Sequence, residues 1–160
     1  MTAPKFLAAF AAAALLSACA SEPETAAATG AGGANANAGA IRPGSQEDLR
    51  ANVGDRVFFA TDRSTIQGDQ RPVLERQARW LGQFAQNQVT VEGHADERGT
   101  REYNLALGQR RANAARDVLV ASGVAGSRIQ TVSYGKDRPE ALGSDETAWA
   151  QNRRAVTVVR

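Results

Sequence analysis

The chain has 160 residues, with 19 lysines and arginines against 17 aspartates and glutamates, one histidine and one cysteine. A net charge of +2 gives no basic surface of the kind that nucleic acid binding requires, so we expect no nucleic-acid partner. A lone cysteine excludes an intrachain disulfide, and a lone histidine leaves little material for a metal site or a catalytic triad. The composition therefore favours a binding protein with no metal and no cofactor over an enzyme.

The N-terminus has the pattern of an export signal. Lys5 precedes an apolar run over residues 6–16, which is shorter than the roughly 20 residues of a membrane-spanning helix. Residues 16–19 read Leu-Ser-Ala-Cys and resemble a bacterial lipoprotein signal. That resemblance implies removal of residues 1–18, lipid attachment at Cys19, and delivery to the outer membrane, since no Asp follows the cysteine. The alternative is an ordinary signal peptide with an incidental cysteine.

Residues 19–44 are predicted to be a disordered linker. The segment is rich in Ala, Gly and Asn and contains no large hydrophobic residue before Ile41. Such a composition cannot bury enough apolar surface to offset the loss of chain entropy on folding. As a flexible coil the linker would span roughly 25–30 Å. The remaining residues, 45–160, have the length of one domain.

Within that domain, helical and strand patterns alternate. The predicted elements are a short helix near 46–52 capped by Ser45, a strand at 56–59, a helix at 69–87, a strand at 89–93, a helix at 100–122, a strand at 129–134, a short helix at 145–152 and a strand at 155–159. The order of the main elements, βαβαββ, predicts an α+β fold with helices packed on one side of a mixed four-stranded sheet.

The densest polar cluster is residues 92–100, between a predicted strand and a long helix. Backbone N–H groups at a helix start favour anions, and loop side chains converge there. One interpretation is a metal or hydrolytic site on His94, Asp96 and Glu97, and the other is a site for a zwitterionic ligand. The first lacks a second histidine and the spacing of zinc or calcium sites. We therefore interpret His94 as a loop or strand-end residue that forms local hydrogen bonds.

The long helix carries a second pattern on one side. Its members recur every three or four residues and are Asn104, Leu107, Gly108, Arg111 and Ala115. The small residues among them let a neighbouring backbone come close, and an arginine on such a face is unusual. Arg111 is either a ligand contact or part of a structural ion pair with Asp96 or Asp62. We assign structural roles to Arg153 and Arg154, with one of them supporting Asp96.

Four short stretches together resemble a known family. They are Gly-His-Ala-Asp at 93–96, the set Asn104, Leu107, Arg111 and Ala112, Ser-Tyr-Gly at 133–135, and Asn-Arg-Arg-Ala at 152–155. They occur in the order typical of the OmpA-like peptidoglycan-binding domain, and the similarity covers roughly residues 55–160. Residues 94–104 are most similar to the lipid-anchored branch of this family, the peptidoglycan-associated lipoproteins.

The resemblance implies noncovalent binding of peptidoglycan stem peptides, without turnover. In this family an Asp and an Arg hold diaminopimelate, and they map onto Asp96 and Arg111. Asp96 would accept hydrogen bonds from the ligand ammonium, and Arg111 would grip its carboxylate through two parallel hydrogen bonds. Backbone N–H groups near 97–100 would add to the carboxylate site.

The resemblance also supplies the other expected site residues and partners. The remaining peptidoglycan-binding candidates are Phe59, Asp62, Glu97, Thr100, Asn104 and Leu107, with Asn104 ordering the loop. The implied partners are TolB and the Tol complex, which act in cell division and envelope integrity. Two rival classes are a periplasmic enzyme, which would release products from peptidoglycan, and a purely structural lipoprotein, which would not be retained by the cell wall. A motor-stator anchor would need a membrane-spanning helix, which the sequence does not offer.

Overall fold

The computed structural model describes residues 41–160. The predicted signal at 1–18, the lipid-bearing Cys19 and the linker up to residue 40 lie outside the described residues. The elements in chain order are α1 (Gln46–Asp48), a π-helical turn (Leu49–Val53), β1 (Arg56–Phe58), α2 (Arg71–Gln83), β2 (Val89–His94), α3 (Arg101–Ala121), a 3-10 turn (Gly126–Arg128), β3 (Ile129–Gly135), α4 (Glu146–Asn152) and β4 (Arg154–Val159). Every predicted helix and strand of the domain is therefore present.

The largest boundary difference is at the end of α2, which stops at Gln83 instead of the expected residue 87. The cause is Arg128, whose guanidinium donates hydrogen bonds to the carbonyls of Leu81, Phe84 and Asn87 at 2.9–3.1 Å. A side chain that satisfies the last carbonyls of a helix lets the helix end there. Because Arg128 comes from a turn far along the chain, the local sequence could not indicate this end.

The four strands form one mixed sheet in the order β1-β4-β2-β3. The last strand of the chain, β4, lies between β1 and β2 and is antiparallel to both. On its other side β2 is parallel to the edge strand β3, and α3 forms the long connection that a parallel pair requires. The carboxyl end of β2 and the start of α3 therefore lie next to the centre of the sheet.

The helices α2 and α3 cover one face of this sheet, and the core lies between the helices and the sheet. Val89 and Val91 of β2 point into it and are fully buried, while the alternation of the strand puts Glu92 and His94 on the opposite face. The helical residues of the core are Leu74, Ala78, Trp80 and Leu81 of α2 and Ala112, Ala115, Val118 and Leu119 of α3. The predicted α+β architecture is confirmed.

At one point α3 and β2 touch backbone to backbone. A Cβ atom added to Gly93 would lie 1.8 Å from the carbonyl oxygen of Gly108, and one added to Gly108 would lie 2.3 Å from Oγ of Ser133. Real Cβ atoms do not approach other atoms so closely, so only glycine fits at either position. The close approach expected from the small residues of α3 is thus confirmed. It fixes the depth at which the next turn of α3, with Arg111, meets the end of β2.

We expect Gly93→Ala to lower the free energy of unfolding by about 3 kcal/mol or more, because the new methyl group must push α3 off the sheet. Gly82→Ala is the matched control, since Gly82 is an exposed glycine within α2 with no other atom within 4 Å of its virtual Cβ. That change should stabilise the protein by about 0.5–1 kcal/mol. Urea unfolding of the full chain measures both, and equal stability of the two variants would contradict the backbone contact.

Candidate functional site

A polar cavity of about 320 Å³ opens where the loop after β1, the loop after β2 and the first turns of α3 meet. Its lining consists of Thr61, Asp62, Asp96, Arg98, Gly99, Tyr103, Asn104, Leu107 and Arg111. Five of the predicted site residues lie in this lining, namely Asp62, Asp96, Asn104, Leu107 and Arg111. We call this cavity the pocket. It combines carboxylates, arginines and one leucine, so it suits a ligand that has both a positive and a negative charge and a short apolar stem.

Asp96 is the buried anion of the pocket, with 7 % of its surface exposed. Its Oδ1 accepts hydrogen bonds from the backbone N–H and Nε of Arg98, both at 3.2 Å, and its Oδ2 accepts one from Nη2 of Arg98 at 2.6 Å. Nη1 of Arg153 lies 3.5 Å from Oδ2, which confirms that one arginine of the last motif supports Asp96. Burial would raise the pKa of Asp96, but the bonds from Arg98 outweigh it, so the pKa lies below its usual value.

Arg111 is the buried cation, and it is fully inaccessible to solvent. Its guanidinium donates from Nε to the carbonyl of Arg63 at 2.8 Å, from Nη1 to that of His94 at 2.8 Å, and from Nη2 to that of Ala60 at 3.2 Å. Three of its five N–H donors are thus used, and two remain. Burial lowers the pKa of Arg111 to about 10, so the side chain stays protonated at neutral pH.

No ion pair within residues 41–160 includes Arg111. The alternative interpretation, a structural ion pair with Asp96 or Asp62, is therefore wrong, because three backbone carbonyls take the place of the carboxylate. Carbonyl dipoles stabilise a buried cation but do not neutralise it. Arg111 accordingly places a positive charge at the floor of the pocket, and no carboxylate of the described domain forms an ion pair with it.

The loop between β2 and α3 is held by its carbonyl groups. Lys136 Nζ donates to the carbonyls of Glu97 and Gly99 at 3.0 and 2.7 Å, and Asn104 Nδ2 donates to that of Arg98 at 2.8 Å. Asn104 thus orders the loop, as expected. In the part of the chain that the structure describes, the N–H groups of Gly99 and Thr100 have no protein acceptor. They lie at the start of a 21-residue helix, where unpaired N–H groups favour an anion.

The chain matches the model of the OmpA family over residues 58–153. It is also 62 % identical over 122 residues to the peptidoglycan-associated lipoprotein of Mesorhizobium japonicum, a match that covers 76 % of this chain and 73 % of that protein. The chain belongs to the OmpA family, among the peptidoglycan-associated lipoproteins. As a member of this family it is not an enzyme, as the sequence predicted.

Two solved structures show the same fold. The crystal structure of the peptidoglycan-associated lipoprotein from Burkholderia pseudomallei is 41 % identical and superposes with a TM-score of 0.66, covering 71 % of this chain and all of that one. The cell wall anchor of the T6SS from Pseudomonas aeruginosa is 28 % identical with a TM-score of 0.55, covering 71 % of this chain and 92 % of that one. The OmpA-like lipoprotein fold predicted from the sequence is therefore confirmed.

Three predicted site residues of this OmpA-family chain lie outside the pocket lining. Phe59 is buried beneath it, with its ring centre 5.1 Å from the guanidinium carbon of Arg111, so it supports Arg111 from below. The carboxylate of Glu97 turns away and accepts a hydrogen bond from Trp149 Nε1 at 3.0 Å. Thr100 caps α3, since its hydroxyl accepts a hydrogen bond from the N–H of Tyr103.

Sequence reasoning missed four residues of the lining, which are Thr61, Arg98, Gly99 and Tyr103. Tyr103 could have been found, because it precedes Leu107 by four residues and Arg111 by eight, on the same side of the helix. Its hydroxyl donates a hydrogen bond to Asp62, which adopts a left-handed backbone conformation with a φ of 56°. Nothing in the local sequence shows that Arg98 folds back onto Asp96.

His94 differs from its expected role. It ends β2 as predicted, but its ring is 2 % exposed and neither ring nitrogen has a hydrogen-bond partner within the described domain. The ring lies 5.7 Å from that of Tyr134, and the nearest carboxylate, of Glu92, is 3.8 Å from Nε2. Burial lowers the pKa of His94 to about 4, and the charge of Arg154 contributes to this shift. The backbone of Arg138 acts in the opposite direction, although no hydrogen bond joins it to the ring.

This burial predicts a pH dependence of stability. The pKa of His94 is about 4 in the folded protein and 6.5 without burial, so between these values the unfolded chain binds a proton that the folded protein does not. Stability should therefore fall as the pH drops from 6.5 to 4, by up to about 3 kcal/mol from this residue. The free energy of unfolding of His94→Phe, measured by urea at pH 7 and 4.5, should fall less than that of the wild type. An identical fall would contradict the prediction.

Proposed function

We propose that this protein binds peptidoglycan stem peptides noncovalently through the free end of diaminopimelate. The observation that carries the proposal is a buried anion, Asp96, beside a buried cation, Arg111, that pairs with no carboxylate of residues 41–160, in one small pocket. The free end of diaminopimelate has an ammonium and a carboxylate on one carbon, so it can complement both. Membership of the peptidoglycan-associated lipoproteins and similarity to a cell wall anchor support a ligand in the cell wall.

Each part of the ligand has a matching group in this scheme. Asp96 accepts from the ammonium, and the buried charge of Arg111 attracts the carboxylate. The backbone N–H groups of Gly99 and Thr100 add to the anion site. Leu107 contacts the methylene stem of the ligand, and Asp62 forms the opposite wall with Tyr103.

The scheme distinguishes diaminopimelate from lysine. A lysine side chain ends in an ammonium alone, so it satisfies Asp96 and leaves the potential of Arg111 uncompensated. Phe59 contributes indirectly by packing under Arg111. Glu97 and Thr100 contribute by shaping the loop between β2 and α3. Glu97 accepts a hydrogen bond from Trp149, and Thr100 caps α3.

We infer further that the domain tethers the outer membrane to the cell wall. Cys19 would carry the lipid, residues 19–44 would bridge the distance to the wall, and TolB and the Tol complex would be the protein partners in cell division and envelope integrity. None of the helices in residues 41–160 combines the length and the apolar character that crossing a bilayer requires. An anchor at Cys19 would thus act through acyl chains, of which two or more give stable attachment.

Calorimetry of the full chain in detergent tests the ligand. We expect a diaminopimelate-containing stem peptide to bind, and Asp96→Asn to weaken it about 10–100-fold, because a charge-assisted hydrogen bond of about 1.5–3 kcal/mol is lost. Asp117→Asn is the matched control, since Asp117 is exposed on α3 and outside the pocket. Absence of binding by a folded wild type, or equal binding by Asp96→Asn, would overturn the proposal. Arg111 is less suitable for this test, because its removal would take hydrogen bonds from three backbone carbonyls and destabilise the domain.

Cell fractionation tests the tether. We expect the wild type to sediment with outer membranes and with isolated cell walls, and to crosslink to TolB. Cys19→Ala should release the protein from membranes, because the acyl chains are lost. Asp96→Asn should release it from isolated cell walls and leave it in the membrane fraction. Membrane association of Cys19→Ala equal to that of the wild type would show that the cysteine is not the anchor.

A further inference from the structure

Asp96, the anion of the pocket, already forms an ion pair with Arg98. Nε and Nη2 of Arg98 contact the two carboxylate oxygens of Asp96 at 3.2 and 2.6 Å, which is the parallel, two-bond arrangement typical of strong arginine–carboxylate pairs. This is the position that a ligand ammonium would need. The protein without ligand therefore satisfies Asp96 from its own chain, and a ligand that binds there must take the place of Arg98.

The two arginines next to Asp96 differ in how firmly they are held. Arg153 has a side chain that is 7 % exposed, and it is fixed by the carbonyl of Phe59 at 3.0 Å and by Glu146 at 2.6 Å. The side chain of Arg98 is 39 % exposed. Its other contacts are the ring of Trp149, 4.1 Å from the guanidinium carbon, and Oγ1 of Thr61 at 3.5 Å. Arg98 is thus the cation that can leave Asp96 without disturbing the core.

The ring of Trp149 holds Arg98 independently of Asp96, since the guanidinium lies over the ring while it pairs with the carboxylate. A guanidinium over an indole ring is stabilised by the ring electrons, whether or not it also holds a carboxylate. Trp149 is itself held by its Nε1 bond to Glu97, so the ring stays in place when Arg98 shifts. Arg98 lines the pocket, so a guanidinium that keeps its contact with the ring stays beside a ligand bound at Asp96.

We propose that the Asp96–Arg98 ion pair is exchanged when the ligand binds, and that Arg98 thereby selects a zwitterionic ligand end over a cationic one. The inference rests on the proposed function. The ligand ammonium replaces Arg98 on Asp96, and the displaced guanidinium turns to the ligand carboxylate, so one ion pair becomes two. A lysine end offers no carboxylate, so it breaks the internal pair and leaves Arg98 without a partner. Arg98 acts here as a specificity residue beside Arg111.

The test is calorimetry of the full chain in detergent with two stem peptides, one with diaminopimelate and one with lysine at the same position. We expect Arg98→Gln to bind the lysine peptide about tenfold more tightly than the wild type, because no internal cation competes. The diaminopimelate peptide should not gain, since it loses a partner for its carboxylate. The preference for diaminopimelate should therefore fall about tenfold, and Arg98→Lys should keep part of it.

Arg101→Gln is the matched control, because Arg101 is an exposed arginine three residues further on that pairs with Asp137 outside the pocket. It should bind both peptides as the wild type does. Unchanged lysine affinity in Arg98→Gln would show that Arg98 only supports Asp96, and equal gains for both peptides would show a simple blocker. Either result overturns the exchange while leaving the proposed function intact. A folded wild type that binds neither peptide would instead overturn the proposed function, and the exchange with it.

Discussion

The buried guanidinium of Arg111 is the interaction on which the pocket depends. It joins three segments that are distant in sequence, because its hydrogen bonds reach the carbonyls of Ala60 and Arg63 after β1 and of His94 at the end of β2. The carbonyl of His94 lies where β2 ends, and those of Ala60 and Arg63 belong to the loop after β1, outside the hydrogen bonds of the sheet. One charged side chain from α3 therefore closes the end of the core and, at the same time, makes the floor of the pocket positive.

The end of β2 serves two opposite environments. The carbonyl of His94 points to Arg111, while its imidazole lies on the other face of the sheet in a site that disfavours its charge. Two residues later, Asp96 is an anion held among arginines. The chain thus passes within three residues from a buried group that is kept neutral to a buried group that is kept charged. This separation is possible because burial opposes both charges, while nearby arginines stabilise a carboxylate and destabilise an imidazolium.

The fold and the position of the site could be predicted, because local patterns determine them. The apolar period of α3, the alternation of β2 and the cap at Thr100 all lie within a few residues of the elements they specify. The partners within the site could not be predicted in the same way. Glu97 turns to Trp149, and α2 ends where Arg128 reaches it, so these outcomes depend on contacts between distant segments. Arg98 was missed although it lies two residues from Asp96, since spacing alone does not show which way a long side chain folds.

The contact between Gly93 and Gly108 has a consequence for how such a domain can diverge. Where side chains separate a helix from a sheet, a change in their size moves the helix, and any cavity at its end changes shape with it. Here no side chain lies between the two backbones, so their distance is set by peptide groups that every amino acid shares. Substitutions elsewhere in the core therefore have little leverage on the depth of the cavity. Variation among proteins built this way should act on the charges and the rim of the cavity while its dimensions stay constant.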